Sequence, residues 1–254
     1  VHGGFWAELG ADNTWMAFSN EAARNFVPAG FVTASIRYRT GIGGGNELSL
    51  ALGQPCLMNP SSDIAQAAGK AAYDVQLATQ YIFEKADEWG IDTAQVYYFG
   101  SSAGAFNVLN ATYMAKGEQL LGTTMVARAR VRGTIGLVGG VNDLSIFDAA
   151  DPKVPLLLFH GTADEVVPFD CGMISHCPTG SSFQVPVCGS KAIYDRCQQL
   201  GISVDMQIAC GSNHGLTGLP LSYVICRAKQ WLSERIAGKA ASNGVTYTTG
   251  LATT

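Results

Sequence analysis

The stretch VYYFGSSAGAFNV, residues 96–108, decides the fold expected of this chain. Its first half is an apolar, aromatic run of strand length, and its second half is typical of a helix. Between them, GSSAG fits G-x-S-x-G with Ser102 at its centre. The turn is so tight that Gly100 and Gly104 must lack side chains. The pattern predicts a strained serine whose hydroxyl projects at the carboxyl end of a sheet, and the flanking strand and helix make a chance match the weaker alternative.

A serine hydroxyl is a poor nucleophile until a base takes its proton, so a histidine is needed nearby. The chain has four histidines: His2, His160, His176 and His214. His214 lies in CGSNHGL, just past a predicted strand and flanked by small residues, where its side chain can point into a cleft. We predict His214 as the base and keep His176, in a cysteine-rich segment, as the alternative.

An imidazole base needs a carboxylate that fixes its tautomer and stabilises its charged form. Asp164 follows a predicted strand in HGTADEVVP and reaches the same sheet edge as Ser102. An aspartate in this position is also typical of turns, where it caps nearby N–H groups. We predict Asp164 as the partner of the base, with Asp143 and Glu165 as alternatives.

Acyl transfer at Ser102 generates an oxyanion, which needs backbone N–H donors. The N–H of Ala103, directly after the serine, is one predicted donor. The motif HGGFW at residues 2–6 supplies the others, through Gly4 and Phe5, because a Gly-Gly pair lets the backbone approach closely. We expect His2 to brace this loop by hydrogen bonding.

Apolar strand-length runs alternate with helical patterns along the chain. The predicted strands are 30–39, 94–100, 131–140, 154–161 and 203–210, and the predicted helices are 63–89, 103–116 and 221–236. This alternation indicates an α/β fold, with a mostly parallel central sheet and helices on both faces. The Thr/Ser/Gly-rich tail, 237–254, is expected to be loosely ordered.

Composition excludes several classes of function. The 254 residues are 47% hydrophobic and 14% charged, with a net charge of −4 and no basic block. Nucleic-acid and anionic-membrane binding normally need a basic patch, so neither is expected. No apolar run is long enough to span a bilayer. The sequence gives no grounds for an oligomeric state.

The seven cysteines contain no CxxC or Cys/His pair at zinc-ligand spacing, so no metal site is predicted. Four of them fall in a Gly/Ser/Pro-rich insertion at about 170–198 with little periodic pattern. Disulfides are therefore expected there, which indicates a secreted or periplasmic protein. Several could equally be ordinary buried thiols, for which Cys226 on a predicted amphipathic helix is a candidate.

Taken together, HGGFW, YFGSSAGA, PLLLFHGTADEVVPF and NHG occur in an order that resembles the esterase/lipase branch of the α/β-hydrolase superfamily with a His-Gly-Gly oxyanion motif, including carboxylesterases and feruloyl esterases. The resemblance runs from Val1 to about Ile236. It implies a cofactor-free serine hydrolase of carboxylic esters with Ser102, Asp164 and His214 as triad. Gly4, Phe5 and Ala103 would form the oxyanion hole.

Three features depart from that family. Ala105 stands where many relatives have a second glycine, and Phe5 replaces the third glycine of lipase-like motifs. Phe5 at this position disfavours the hormone-sensitive-lipase branch and fits feruloyl, acetyl or polyester esterases equally. Third, a long cysteine-rich segment separates Asp164 from His214; we interpret it as a lid-like insertion, with a surface loop of no function as the alternative.

We expect a catalytic domain at 1–236 and a tail at 237–254. The family places strands before its His-Gly-Gly loop, so either an N-terminal portion is missing or the tail or a separate chain completes the sheet. Trp6 and Phe106 are predicted to bind the acyl group, although aromatics near strand ends are more often core. The expected substrates are small or polymeric esters. A serine peptidase and a non-catalytic ligand-binding relative remain as alternatives.

Overall fold

A computed structural model describes residues 1–4, 6, 14–40, 61–114, 119–120, 123–124, 130–148, 150, 152–174, 186–240 and 242–249. The helices in these ranges are α1 (Thr14–Phe26), α2 (Ser61–Glu84), α3 (Ala86–Trp89), α4 (Ala103–Tyr113), α5 (Ser190–Leu200) and α6 (Leu221–Ile236). The strands are β1 (Tyr97–Ser101), β2 (Gln119–Leu120), β3 (Thr123–Thr124), β4 (Gly133–Leu137), β5 (Gly140–Val141), β6 (Leu156–Gly161), β7 (Cys171–Met173), β8 (Pro186–Gly189), β9 (Val204–Cys210) and β10 (Val245–Thr249).

A five-stranded parallel sheet in the order β1-β4-β6-β9-β10 forms the centre of the fold. Strands β4 and β6 are buried along their whole length, as expected for strands covered on both faces. Because the strands run in one direction, their carboxyl ends meet at one edge. The predicted parallel sheet is confirmed, and the loops after β1, β6 and β9 all open onto that edge.

Alternate residues of β6 face opposite layers of helices. Leu156 and Leu158 belong to a core shared with α2, α4 and α5. Leu157 and Phe159 pack with residues of α1 and α6, including the fully buried Trp231. Burying an apolar side chain of this size contributes about 1.5–3 kcal/mol, so this alternation holds helices on both faces of the sheet.

The predicted helices agree with the structure in place. The helix expected over 221–236 coincides with α6, and the one expected over 103–116 is α4, which ends at Tyr113. The helix expected over 63–89 is interrupted at Lys85, so that α2 and α3 are separate. Helix α1 was not predicted from the sequence.

The strand predicted at 30–39 is wrong, because residues 31–40 pair with no strand in the described part of the chain. Instead, residues 31–36 line an apolar cavity of about 360 Å³ together with residues of β1 and α2. Val32 is 70% exposed. The end of the segment is fixed to α2 by the Arg39–Asp74 ion pair, in which Arg39 Nη2 lies 2.7 Å from Asp74 Oδ1.

The tail is more ordered than expected between residues 242 and 249. Strand β10 pairs in parallel with β9 at the edge of the sheet opposite β1. Asp205 of β9 holds the entry to this strand, accepting hydrogen bonds from Ser242 Oγ and, at 3.1 Å, from Gly244 N. The expectation of a loosely ordered tail is therefore wrong for β10, and the alternative that the tail contributes to the sheet holds for residues 245–249.

The cysteine-rich segment also contains regular structure. Strands β7 and β8 are antiparallel neighbours, β8 pairs in turn with β5, and α5 follows β8 directly. Cys171 and Cys188 form a disulfide across β7 and β8, which confirms that a disulfide holds this region. The prediction of an irregular loop over 170–198 fails at these elements, and residues 175–185 lie outside the described ranges.

The other described cysteines are free thiols: Cys197 is buried, Cys210 is half-buried and Cys226 is exposed. The suggested role of Cys226 as a buried thiol is therefore wrong. Cys56 and Cys177 lie outside the described residues. Among the described helices, none has both the length and the apolar character needed to cross a membrane.

Candidate active site

Ser102 occupies the sharp turn between β1 and α4. Its backbone has φ 52° and ψ −124°, which non-glycine residues rarely adopt and which therefore stores strain. A Cβ on Gly100 would lie 2.3 Å from Gly104 O, and a Cβ on Gly104 would lie 2.3 Å from Val1 O. Each glycine of GSSAG is therefore needed for a close approach of two backbone segments.

His214 connects Ser102 to Asp164 by hydrogen bonds. Ser102 Oγ lies 2.9 Å from His214 Nε2. His214 Nδ1 lies 2.8 Å from Asp164 Oδ2 and 3.0 Å from Oδ1. Ser102 follows β1, His214 follows β9 and Asp164 follows β6. The carboxyl edge of the parallel sheet therefore brings all three sequence-predicted residues into contact.

Asp164 is a fully buried carboxylate with several donors. Val166 N and Val167 N each donate to Oδ1 at 2.9 Å, and His160 Nε2 lies 3.2 Å from Oδ2. Burial alone would raise the pKa of this carboxyl, but hydrogen bonds from His160, His214 and the Val167 N–H outweigh it and hold the pKa well below its usual value. Asp164 is therefore ionised at neutral pH, and it caps its own turn while it binds the imidazole.

The loop after β9 holds the imidazole of His214 in place. The His214 backbone N–H donates to Glu165 Oε2 at 3.2 Å. Asn213 Oδ1 accepts hydrogen bonds from Gly215 N and Thr217 Oγ1, each at 3.1 Å. The His214 side chain is 18% exposed, so it faces both the buried carboxylate and the solvent side of the site.

Residues 2–4 lie beside the nucleophile turn. A Cβ on Gly3 would lie 3.1 Å from Ser102 Cβ. His2 is buried, its Nδ1 donates to Gly3 O at 2.6 Å, and its ring stacks on Tyr38 with centroids 4.4 Å apart. Tyr38 Oη also lies 3.1 Å from His2 O and 3.2 Å from Gly3 O. These contacts hold the His-Gly-Gly backbone against the turn.

Two of the predicted oxyanion donors lie in the described part of the chain. Ala103 is the first residue of α4, and the first N–H groups of a helix have no acceptor within it. Gly4 has φ 107°, a conformation that favours glycine. Phe5, the third predicted donor, lies outside the described residues.

No protein-family model and no curated protein matches the sequence. Solved structures do match it. A truncated carbohydrate esterase from gut microbiota has a TM-score of 0.56 at 16% identity, over 92% of this chain and 84% of that one. The butyrate-bound esterase Est2 of Thermogutta terrifontis has a TM-score of 0.58 at 18% identity, over 94% and 82%. A lipase/esterase from Lactobacillus plantarum has a TM-score of 0.56 at 15% identity, over 92% and 83%.

The chain has the α/β-hydrolase fold. The fold predicted from the sequence is thereby confirmed. In this fold, residues that follow the carboxyl ends of the strands share one edge of the sheet, which is where Ser102, Asp164 and His214 lie.

The two aromatic residues predicted to bind substrate lie in the core of this α/β-hydrolase fold. Trp6 is 2% exposed and Phe106 is 1% exposed. Their rings pack edge to face with centroids 5.6 Å apart, and Trp6 Nε1 donates to Asn107 Oδ1 at 2.8 Å. These positions fit the alternative that aromatics near strand ends belong to the core, and they give no support to substrate contact.

The alternative residues have other places in the α/β-hydrolase fold. The exposed Asp143 accepts a hydrogen bond from Ser145 N at 2.8 Å and caps a short 3₁₀ turn. Glu165 binds the backbone of His214, whereas Asp164 binds its ring. His176 lies outside the described residues.

Two residues that the sequence patterns do not predict complete the hydrogen bonding of the site. His160 is fully buried near the end of β6, and its Nδ1 lies 2.8 Å from Ser190 Oγ. The sequence signal for His160 is its position: it lies at the end of β6, four residues before Asp164, which follows the same strand. Ser190 has no such signal, because it arrives on α5, 30 residues after His160.

Proposed function

We propose that this chain is a serine carboxylic-ester hydrolase that works through an acyl-enzyme, with 1–236 as its catalytic domain and β10 of the tail as an added edge strand of the sheet. The observation that carries the proposal is the sequence of contacts from Ser102 Oγ to His214 Nε2 at 2.9 Å and from His214 Nδ1 to Asp164 Oδ2 at 2.8 Å. This is the arrangement that activates a serine hydroxyl as a nucleophile. The likeness in fold to several esterases supports the same reaction class.

In the proposed acylation step, Ser102 Oγ attacks the ester carbonyl carbon while its proton moves to His214 Nε2. Asp164 accepts a hydrogen bond from His214 Nδ1–H, which leaves Nε2 free to act as the base. The ionised carboxylate then stabilises the imidazolium. When the tetrahedral adduct collapses, the bond to the leaving oxygen breaks and the Nε2 proton passes to the departing alcohol.

In the proposed deacylation step, water attacks the acyl carbon and gives a proton to His214 Nε2. Collapse of the second adduct returns that proton to Ser102 Oγ as the carboxylic acid leaves. The carbonyl oxygen is negatively charged in both adducts. We assign its stabilisation to the N–H groups of Ala103, Gly4 and Phe5, each worth about 3–4 kcal/mol, assisted by the N-terminus of α4.

Short-chain, acetyl, feruloyl or polyester-type esters are the proposed substrates. One neighbour in fold is described as a carbohydrate esterase and another as an esterase with butyrate bound, which supports a small acyl group. The disulfide between Cys171 and Cys188 supports an oxidising compartment, so we propose a secreted or periplasmic protein.

The test is hydrolysis of para-nitrophenyl esters of graded chain length and of a feruloyl ester by wild type, Ser102→Ala and Ser101→Ala. Ser101→Ala removes a neighbouring hydroxyl at the end of β1 and is expected to keep the wild-type rate. Ser102→Ala is expected to lose at least about 10³-fold in kcat, since the nucleophile is gone. Substantial hydrolysis by Ser102→Ala would refute the mechanism.

A panel of peptide substrates and a serine-directed active-site probe distinguish the alternatives. Faster turnover of peptides than of esters would make the chain a serine peptidase with the same three residues. Failure of the probe to label the wild-type protein at Ser102 would favour a ligand-binding protein without catalysis.

A further inference from the structure

Asp164 is bound by two imidazoles, of which the proposed mechanism uses only one. His214 Nδ1 lies 2.8 Å from Asp164 Oδ2, and His160 Nε2 lies 3.2 Å from the same oxygen. The side chains of His160 and Asp164 are both fully buried. Because the imidazole of His160 is buried, it cannot contact substrate. Any effect of His160 on the reaction must therefore act through Asp164.

The partners of His160 indicate which nitrogen carries its proton. Nε2 lies 3.1 Å from Val167 O, a carbonyl that can only accept, so Nε2 is the donor. Nδ1 lies 2.8 Å from Ser190 Oγ, whose hydroxyl can donate to it. These contacts fit a neutral imidazole with its proton on Nε2, directed toward both Val167 O and Asp164 Oδ2.

Ser190 is itself held firmly in position. It is the first residue of α5 and is 2% exposed. On either side of it, Gly189 N donates to Asp170 O at 3.0 Å and Lys191 N donates to Phe169 O at 2.9 Å. The start of α5 is thus tied to the chain that follows the Asp164 turn, and Ser190 Oγ reaches His160 from a fixed backbone.

We propose that His160 is a positioning residue for the proposed reaction: its Nε2–H holds Asp164 Oδ2 where His214 needs it. The Val167 carbonyl fixes the tautomer of His160, and the Ser190 hydroxyl supports it by donating to Nδ1. The inference rests on the proposed function, since it concerns the same carboxylate. The torsion that orients an aspartate carboxylate has broad wells, so contacts to both oxygens restrict its rotation more than contacts to one oxygen do. The amides of the turn pin Oδ1, and His160 pins Oδ2.

His160 also affects how the proton is shared between Asp164 and His214. The hydrogen bond from His160 is a leading contribution to the lowered pKa of Asp164 against its burial. A less basic carboxylate leaves the Nδ1 proton on His214 when the imidazolium forms. His160 therefore acts on the transition state through Asp164 and leaves substrate binding untouched.

The test compares kcat and KM for His160→Phe, His160→Gln, Ser190→Ala and the control Ile208→Val on a para-nitrophenyl ester. Phenylalanine keeps the ring and removes both nitrogens, whereas glutamine can again donate from the position of Nε2. Ile208 lies opposite His160 on β9 and is also buried, so its variant perturbs the same part of the sheet without touching Asp164.

We expect His160→Phe to lower kcat by about 10- to 100-fold, as for loss of one hydrogen bond to a charged group, with KM changed less than about twofold. His160→Gln should recover most of the loss, Ser190→Ala should show a smaller loss in kcat alone, and Ile208→Val should match wild type. If His160→Phe does not fold, Ser190→Ala decides: a loss in kcat with KM unchanged supports the inference, and a wild-type kcat overturns it.

Two outcomes would overturn the inference while leaving the proposed function intact, provided that Ser102→Ala is inactive in the same assay. One is a wild-type kcat in His160→Phe. The other is an equal loss in His160→Phe and His160→Gln with KM altered as well, which indicates a structural role only. Activity retained by Ser102→Ala would instead overturn the proposed function and this inference together.

Discussion

Replacing Asp164 by asparagine tests the electrostatics of the site most directly, because the structure predicts how the amide must orient. Oδ1 accepts the N–H groups of Val166 and Val167 at 2.9 Å each, so the amide oxygen of Asp164→Asn will take that place. Its NH₂ group then faces His214 Nδ1 and His160 Nε2, two positions that the carboxylate holds by accepting hydrogen bonds. His214 can bind this NH₂ only by moving its proton from Nδ1 to Nε2.

An imidazole with its proton on Nε2 cannot accept the proton of Ser102. The loss of the correct tautomer and of the charge is expected to lower kcat by up to about 10⁴-fold, or about 5.4 kcal/mol, with KM nearly unchanged. The assay is para-nitrophenyl ester hydrolysis at neutral pH. Asp143→Asn is the matched control, since that exposed carboxylate caps a 3₁₀ turn by accepting from Ser145 N, and it should keep the wild-type rate. A kcat for Asp164→Asn above about a tenth of wild type would refute the tautomer argument.

Three further predictions concern stability and the backbone of the site. The lowered pKa of Asp164 adds stability that is fully present above the ordinary aspartate pKa of about 3.9 and is lost as pH falls toward the lower folded-state value; urea unfolding from pH 7 to 3 should show the advantage of wild type over Asp164→Asn shrinking below about pH 4. Gly104→Ala would place a Cβ 2.4 Å from His2 O, so the His-Gly-Gly segment must move, and we expect about 10²-fold lower kcat with folding retained by circular dichroism. Replacing both Cys171 and Cys188, which are 17 residues apart, by alanine should lower the free energy of unfolding by about 3 kcal/mol in denaturant titrations.

Strands buried on both faces were predictable, and strands defined by their neighbours were not. The strands β6 and β9 differ from the predicted 154–161 and 203–210 by only one or two residues. Strand β6 begins with a continuous apolar run, and β9 has apolar residues at 204, 206 and 208, so few alternatives to a strand exist at either place. The run at 30–39 has a similar composition but lines a cavity, since composition does not say whether a partner strand lies alongside. Strand β10 is the reverse case, a strand without an apolar run. Its sequence VTYTT is largely exposed, and only its pairing with β9 makes it a strand.

Helix α5 was missed for a different reason. Its sequence SKAIYDRCQQL buries Ile193 and Cys197 four residues apart, which is helical spacing. The cysteines concentrated around this segment favour a disulfide-bonded loop and so compete with that periodicity. In the structure Cys197 behaves as a small apolar side chain whose burial raises the pKa of its thiol to about 12. A cysteine in a cysteine-rich segment is thus not necessarily part of its disulfide framework.

The contact between Ser102, His214 and Asp164 could be predicted because parallel strands carry the residues that follow them to one edge, so residue type and strand end together locate them. His160 shows where that reasoning stops. A histidine inside a fully buried strand must have hydrogen-bond partners, since an unpaired buried polar group costs about 1–3 kcal/mol. The sequence therefore demands partners but cannot name them, because Asp164 lies on the next turn and Ser190 arrives on a distant helix. The buried imidazole of His160 needs an acceptor, and the carboxylate of Asp164 needs donors. The contact between His160 Nε2 and Asp164 Oδ2 meets both needs. Because core stability and the geometry of the proposed catalytic site both depend on this side chain, substituting His160 should disturb both.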